Sequence, residues 1–323
     1  MDPRNGDRRA LAQAITLAES ARPDHRADAQ ALLTEILPYT GGSLRVGLTG
    51  APGVGKSTLI ETLGLRLVER GQRVAVLAVD PTSAVSGGSV LGDKTRMGEL
   101  ARSENAFIRP SPSGGVLGGV ARRTRDAVLL VEAWGADVAL VETVGVGQSE
   151  TAVTSTVDVS VLLVAPGGGD DLQGIKRGVM EVADVVAVTK ADGELRAQAE
   201  RTRADYAAAA GLLGSRDDLA VVACSAVEGE GVDELWAAVL TSHEALVGSA
   251  ELAVRRAEQA AEWMWRDVRE RLSDAARAVE PTAQRLGRIE RDVAEGRLLP
   301  EVAAGQLVDA LLKGRGPAAE KLR

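Results

Sequence analysis

The chain has 323 residues, 45% of them hydrophobic and 26% charged, a composition typical of a globular protein with one large α/β domain and accessory helices. Its formal net charge of −8 provides no global positive field, so nucleic acids and anionic membrane surfaces are disfavoured as partners. A single cysteine, a polar start and the lack of any run of about 18 apolar residues predict a cytoplasmic protein without disulfides or membrane spans.

The first predicted elements are short helices. Apolar residues recur at helical spacing over 11–18 and again over 32–37, with a break at Pro23 that indicates a turn and a new helix start. Gly41 and Gly42 end the pattern. We therefore expect residues 1–42 to form an N-terminal helical segment.

Strand-like runs rich in Val, Leu and Ala follow, and they alternate with helical stretches. Near-continuous apolar runs of this kind indicate strands that are buried on both faces of a mostly parallel sheet. The sequence thus predicts an α/β P-loop NTPase domain over 43–245, with helices flanking the sheet. The predicted strands are 46–49, 74–79, 138–142, 159–165, 185–189 and 219–223.

The last part of the chain is predicted to be helical. Apolar residues return at helical spacing between Leu252 and Val279, and Pro281 marks a turn. Gly296 and Pro300 separate a second helix from a last one. Residues 246–323 are accordingly predicted to form a C-terminal helical arm.

A phosphate-binding loop follows the first predicted strand. Residues 50–57 read GAPGVGKS, which fits the P-loop pattern at every fixed position, and a helix is predicted to leave the loop. Glycines let backbone N–H groups converge on the β-phosphate, Lys56 supplies a point charge, and the Ser57 hydroxyl is placed to ligate Mg²⁺. A glycine-rich turn that binds nothing is the competing interpretation, which the position at the carboxyl end of a parallel strand disfavours. The predicted nucleotide contacts here are Gly50, Ala51, Pro52, Gly53, Val54, Gly55, Lys56, Ser57 and Thr58.

Two later loops have the pattern that reads guanine. Residues 189–192 read TKAD and residues 224–226 read CSA, each at the end of a predicted strand. The Asp192 carboxylate can accept hydrogen bonds from guanine N1–H and the exocyclic amine, whereas adenine presents an acceptor in place of the first donor. The Lys190 stem would lie over the base, and the Ala226 N–H would meet guanine O6. Alone, a Lys-x-Asp is most often a surface turn, but the ordered pair after a P-loop favours GTP and GDP. The predicted base contacts are Thr189, Lys190, Asp192, Ser225, Ala226 and Val227.

Thr189 occupies a position where Asn is usual. An Asn amide would bridge the base loop to the P-loop, and a Thr hydroxyl is shorter. A reduced nucleotide affinity is therefore expected, with specificity retained by Asp192.

Residues 142–145 read ETVG, where many GTPases carry Asp-x-x-Gly. The Gly145 N–H would contact the γ-phosphate, and Glu142 would reach Mg²⁺ directly or through water. Val146 stands where a glutamine often orients the attacking water, so slow intrinsic turnover is expected. Gln148 lies nearby but is at least as well interpreted as a structural loop residue.

Further carboxylates are predicted around the metal. Asp80 and Asp93 can hold waters of Mg²⁺, with a helix cap and a surface salt bridge as the respective competing interpretations. The glycine-rich loop that contains Lys176 has the charges to sense a γ-phosphate, or is simply a mobile surface connection. The predicted metal set is Ser57, Asp80, Asp93 and Glu142, and the predicted catalytic set is Lys56, Asp80, Asp93, Glu142, Gly145 and Lys176.

Together these segments closely resemble the MeaB/ArgK family, the G-protein chaperones of methylmalonyl-CoA mutase. The resemblance covers nearly the whole chain and rests on blocks in a fixed order. The blocks are VDPTS at 79–83, GSVLGDKTRM at 88–97, RPSPS at 109–113, LGGVAR at 117–122, ETVGVGQS at 142–149 and DLQGIK at 171–176.

The resemblance implies a GTPase of the same broad class as the signal-recognition and nickel-insertion GTPases. Such proteins bind an adenosylcobalamin-dependent mutase, use GTP to gate cofactor delivery and protect or rescue the enzyme. By position, Lys56 matches the phosphate-binding lysine, and Asp80, Asp93 and Glu142 match acidic residues around Mg²⁺ and the switches. A mobile loop that responds to the partner is matched by Asp170, Gln173 and Lys176.

The resemblance also implies that the C-terminal arm forms a homodimer. Trp263 and Trp265 lie in this arm, and on a helix they point about 200° apart, so both cannot face one local core. One of them is a candidate interface anchor. Packing of both within one chain is the competing interpretation.

Four other functions remain to be weighed. A P-loop kinase that transfers the γ-phosphate to a small molecule or protein is the main alternative, although kinases usually select adenine. Nickel insertion requires clustered Cys and His ligands, and signal-sequence binding requires a Met-rich domain, whereas the chain has one Cys, two His and four Met. A nucleotide-gated binding module that does not hydrolyse GTP stays open because the water-orienting glutamine is absent.

Overall fold

The computed structural model describes residues 2–20, 22–79, 97–111, 117–143, 155–167, 183–213, 219–278 and 282–314. The chain divides into two compact units, Met1–Gln259 and Ala260–Arg323. Within the ranges described, no helix combines the length and the apolar character needed to cross a bilayer.

The first unit is built on a parallel sheet, as the sequence predicts. Its strands run in the order β3-β2-β4-β1-β5-β6-β7, and each neighbouring pair is parallel. Three of the described strands lie on each side of β1, so the strand order reverses there and a crevice is expected beside its carboxyl end. The strands are β1 (Leu44–Gly50), β2 (Val74–Val79), β3 (Ala106–Ser111), β4 (Val138–Thr143), β5 (Val159–Val164), β6 (Val185–Val188) and β7 (Ala220–Ala223).

Helices cover both faces of this sheet. Successive side chains of a strand point to opposite faces, and β2 shows the consequence: Val74 and Val76 join one hydrophobic core, while Ala75 and Leu77 join another. The first core includes α3 and α6, and the second includes α1, α2 and α4. The helices of the first unit are α1 (Arg8–Glu19), α2 (Pro23–Ile36), α3 (Lys56–Glu69), α4 (Leu117–Ala133), α5 (Arg196–Leu213) and α6 (Val232–Gly248).

The N-terminal helices agree with the predicted break. Pro23 lies at the first position of α2, where its fixed φ fits and its missing N–H costs nothing. α1 buries Leu11, Ala14, Ile15 and Ala18, the same residues that carry the helical periodicity.

β3 is absent from the predicted strands. Its sequence, AFIRPS, interrupts the apolar run with Arg109 and Pro110, and proline normally argues against a strand. β3 pairs only with β2 among the described strands, and at such an edge position the missing N–H of proline is tolerated.

A network of ion pairs around two buried carboxylates holds the amino-terminal end of the sheet. Arg45 of β1 forms a bidentate pair with Glu132 of α4, with N–O distances of 2.8 and 2.9 Å. Arg256 donates to both carboxylate oxygens of Asp158 at 2.8 and 2.6 Å and to the Gly41 carbonyl at 2.6 Å. Arg256 lies near the start of α7 (Glu251–Ala278), so the network fixes the beginning of this helix to the end of the sheet.

The second unit is helical. It contains the remainder of α7, α8 (Thr282–Ala294) and α9 (Pro300–Gly314), and α8 packs against α9. Trp265 is 58% exposed, whereas Trp263 is half-buried. The predicted helical character is confirmed for the described residues. The domain boundaries at 42 and 245 and the use of the arm as a dimer interface stay predictions.

Candidate active site

The P-loop lies at the carboxyl end of β1, next to β5. Gly50 is the last residue of β1, and a Cβ at this position would lie 2.4 Å from the Leu163 carbonyl oxygen, so no side chain fits. Gly55 has a φ of +100° and caps the start of α3, a conformation that side chains disfavour. The sequence therefore needs glycine at both positions to bend the strand tightly into the helix.

Lys56 begins α3 and turns back into the loop. Its Nζ donates to the carbonyl oxygens of Gly50 at 2.7 Å and Ala51 at 3.0 Å, and the residue is only 8% exposed. The ammonium group is therefore held inside the P-loop, where it would contact a bound anion. The helix that the sequence predicts after the loop thus starts at Lys56 itself.

Ser57, in the first turn of α3, and Glu142, on β4, come together. The Ser57 hydroxyl donates to Glu142 Oε1 at 2.9 Å. Glu142 lies next to the last residue of β4 and pairs in register with Leu48 of β1, which explains why the two side chains meet. A hydroxyl and a carboxylate are the hard oxygen ligands that suit Mg²⁺. Within the described residues no group of three or more His, Cys, Asp or Glu side chains forms a metal site.

Thr189 connects the base loop to the P-loop. Its hydroxyl donates to the Val54 carbonyl at 2.6 Å, and Thr189 is 4% exposed. The shorter Thr side chain therefore still bridges the two loops, and the reduced nucleotide affinity stays a prediction. Lys190 follows with a φ of +53° and donates from Nζ to the Gly53 carbonyl at 2.7 Å. Thr189 and Lys190, the first two residues of the predicted base loop, therefore both contact the P-loop.

Asp192 is joined to the second base loop. The Ser225 hydroxyl donates to Asp192 Oδ2 at 2.5 Å and accepts the Glu228 N–H at 3.1 Å. The Ala191 N–H also donates to the Cys224 carbonyl at 3.1 Å. The two loops that the sequence assigns to base reading are thus one connected structure.

Cys224 precedes Ser225 but is not a reactive group in this site. The residue is 1% exposed, and burial raises the pKa of its thiol to about 12. A thiol is the poorer nucleophile and metal ligand, since both roles need the thiolate.

The remaining predicted residues are of two kinds. Ala51, Pro52, Gly53 and Thr58 are exposed on the P-loop and the first turn of α3, and Val227 is 83% exposed at the tip of the second base loop. The other predicted residues lie outside the described ranges: Asp80, Asp93, Gly145, Gln148, Asp170, Gln173 and Lys176.

The sequence interpretation missed Thr62 of α3. Its hydroxyl donates to the Ala226 carbonyl of the second base loop at 2.8 Å. An isolated Thr on a helix gives no sequence signal for this contact, since its partner is 164 residues away.

Comparison with known proteins agrees with this geometry. The family model described as methylmalonyl-CoA mutase-associated GTPase MeaB matches residues 11–281. GTPase ArgK of Escherichia coli is 50% identical over 270 residues, which cover 83% of this chain and 82% of that protein. The mitochondrial methylmalonic aciduria type A homolog of Mus musculus is 46% identical over 324 residues, with 95% and 76% covered.

A solved structure shows the same fold. The crystal structure described as LAO/AO transport system kinase has 38% sequence identity and a TM-score of 0.74, and the match covers 96% of this chain and 95% of that one. The P-loop, the parallel sheet and these similarities lead to one conclusion: the chain is a GTPase and belongs to the MeaB family of methylmalonyl-CoA mutase-associated GTPases.

Proposed function

We propose that GTP binds along the carboxyl edge of the sheet, with its phosphates in the P-loop and its base against Asp192 and Ala226. The observation that carries this proposal is a set of hydrogen bonds that joins the P-loop to the two base loops. The Thr189 hydroxyl donates to the Val54 carbonyl, and the Ser225 hydroxyl donates to the Asp192 carboxylate. Lys190, in the first base loop, also contacts the P-loop at the Gly53 carbonyl. A nucleotide that spans the site would touch parts that already support one another, which lowers the cost of ordering them.

We propose that Ser57 and Glu142 would bind Mg²⁺ and that Asp80 and Asp93 would hold its waters. Two oxygen donors 2.9 Å apart at the start of the P-loop helix are suitable ligands for this ion. When bound, the ion would neutralise charge on the β- and γ-phosphate oxygens.

Lys56 and the loop amides would hold the triphosphate in line for attack by water. Attack of the water oxygen on the γ-phosphorus forms one P–O bond, the bond to the β–γ bridging oxygen breaks, and GDP and phosphate are released. Gly145 and Lys176 are proposed to contact the γ-phosphate. With Val146 in place of a water-orienting glutamine, slow intrinsic turnover is expected.

The GTPase cycle is proposed to serve an adenosylcobalamin-dependent mutase, most directly methylmalonyl-CoA mutase. The description of the matching family and the name of the mouse relative both support this role. In this proposal the nucleotide state gates cofactor delivery in the cytoplasm and protects or reactivates the enzyme. The contact with the mutase is proposed to depend on the loop that contains Asp170, Gln173 and Lys176.

The C-terminal arm is proposed to form a homodimer. Trp265, Met264 and Leu272 of α7 are all at least half exposed, and large apolar side chains clustered on one helix are typical of an interface. Sedimentation of the full chain tests this part separately. A dimer that Trp265→Ala dissociates supports it, and a monomer at micromolar concentration contradicts it.

A pull-down tests the proposed partner. The purified chain would be loaded with a non-hydrolysable GTP analogue and incubated with native cytosol, with the GDP-loaded chain alongside. The Lys56→Ala variant is the control, since it should hold no nucleotide. Enrichment of a cobalamin-dependent mutase that changes with the nucleotide supports the proposal. The absence of such a mutase, or equal enrichment by Lys56→Ala, contradicts it.

A kinase remains the second candidate because the structural relative with 38% identity is described as a kinase. Incubation with γ-labelled GTP separates the two reactions. We expect the label to appear as free phosphate. Label on a small molecule or protein, at a rate that matches loss of GTP, would show phosphoryl transfer instead.

A further inference from the structure

The P-loop helix α3 also contacts the loop that follows β7. Thr62, Arg66 and Arg70 recur at intervals of four residues, which places them along one side of the helix. All three reach the segment from Ala226 to Asp233. This series of contacts joins the helix that starts at the phosphate site to the loop assigned to the base.

Thr62 makes the contact nearest to the proposed base site. Its hydroxyl lies 2.8 Å from the Ala226 carbonyl oxygen and 3.1 Å from the Thr58 carbonyl oxygen. A hydroxyl has a single proton to donate, so the shorter and less exposed bond to Ala226 is the better one. Thr62 lies six residues after Lys56, which is about 9 Å along the helix axis.

Arg66 holds the next part of the same loop. Its Nη2 donates to the Gly229 carbonyl at 2.6 Å, and its Nη1 pairs with Asp233 at the start of α6. The Gly229 N–H in turn donates to the Ser225 carbonyl at 2.9 Å. Contacts from α3 therefore continue through Gly229 and Ser225 to the Asp192 carboxylate.

We propose that Thr62 is a positioning residue for guanine specificity: by holding the Ala226 carbonyl it fixes the backbone of Ala226, and with it the Ala226 N–H, relative to the P-loop. This inference rests on the proposed base site, in which the Ala226 N–H donates to guanine O6. Adenine carries an amine donor at the same position, so a firmly held N–H favours guanine and penalises adenine. A loop released from Thr62 can move away from the adenine amine, and the discrimination falls.

The test compares the dissociation constants of GTP and ATP, measured by calorimetry with Mg²⁺, for several full-length variants. Thr62→Val keeps the shape of the side chain and removes the hydrogen-bond donor. We expect it to lower the ratio of the ATP dissociation constant to the GTP dissociation constant by about three- to tenfold, which is the range for one neutral hydrogen bond. Thr62→Ser restores the hydroxyl and should restore the ratio. Thr241→Val is the matched control, because within the described part of the chain the Thr241 hydroxyl donates to the Ala237 carbonyl of its own helix, at 2.9 Å, and to no other loop. Its ratio should equal that of the unsubstituted chain.

Two outcomes distinguish the failures. The positioning role of Thr62 is contradicted, and the base site is not, if the folded Thr62→Val variant keeps the ATP-to-GTP ratio of the unsubstituted chain. This holds even if its melting temperature is lower. An unsubstituted chain that binds ATP as tightly as GTP contradicts the base site and overturns both proposals. If Thr62→Val does not fold, Arg66→Gln removes the second link at a partly exposed position, and the same fall in the ratio is required of it.

Discussion

Thr189 links two loops through one hydroxyl. Its hydroxyl donates to the Val54 carbonyl at 2.6 Å, although the two residues are 135 positions apart in the sequence. Thr189 is buried. The sequence predicted a reduced nucleotide affinity from the shorter side chain, and it could not show that the Thr189 hydroxyl reaches the P-loop. Residue identity therefore predicted which loops belong together, whereas the strength of their connection required the structure.

Thr189→Val should weaken GTP binding. The substitution keeps the shape and leaves the Val54 carbonyl without its donor, which is expected to cost about 1 to 2 kcal/mol, or about 5- to 30-fold in the dissociation constant. Calorimetric titration with GTP measures the change, and Thr189→Ser is the control. Equal affinities for the Val and Ser variants would show that the hydroxyl does not support the site.

Cys224 should resist alkylation in the folded protein. Burial raises the pKa of its thiol to about 12, above the ordinary value of about 8.5, so the folded state holds the proton more tightly than the unfolded state. The contribution of this thiol to the free energy of unfolding is fully present below the ordinary pKa and is lost as the pH rises towards 12. Mass spectrometry after iodoacetamide treatment at pH 8 should show labelling only in denaturant. Rapid labelling of the native protein would contradict the buried placement.

At the scale of elements, apolar runs were sufficient to predict six strands, because buried parallel strands have few polar residues. β3 was missed since Arg109 and Pro110 interrupt its pattern and only its place at an edge of the described sheet permits them. The ion pairs at the amino-terminal end of the sheet could not be predicted either. Their partners, such as Arg45 and Glu132, are far apart in sequence and carry no local signal.

Glu132→Gln should destabilise the fold. Glu132 has no exposed side-chain surface and accepts two bonds from Arg45 and one from the Gly41 N–H. A neutral amide would leave the buried guanidinium uncompensated, which typically costs about 3 to 5 kcal/mol. Urea denaturation measures the change in the free energy of unfolding.

Glu200→Gln is the matched control for this prediction. Glu200 pairs with Arg203 on the exposed surface of α5, where such pairs contribute about 0 to 1 kcal/mol. Losses of equal size at the two positions would show that burial of the Arg45 pair does not matter.

At the scale of the whole molecule, the parallel sheet explains why distant segments form one site. The described strands all end at the same edge, so Lys56, Glu142 and Asp192 lie along that edge, although Glu142 is on β4 and the other two follow β1 and β6. The order of motifs along the sequence was therefore enough to predict their convergence. The central claim is that this edge binds a guanine nucleotide and that Asp192 reads the base.

The nucleotide preference of Asp192→Asn tests this claim most directly. Asp192 is proposed to accept bonds from guanine N1–H and the 2-amine, whereas an Asn amide can donate to the 2-carbonyl of xanthine. We expect the unsubstituted chain to prefer GTP over xanthosine triphosphate and Asp192→Asn to reverse this preference, with GTP affinity reduced at least about tenfold for the lost pairing. Calorimetric titration of both nucleotides measures the reversal. An Asp192→Asn variant that keeps the GTP affinity and the preference of the unsubstituted chain would contradict the account.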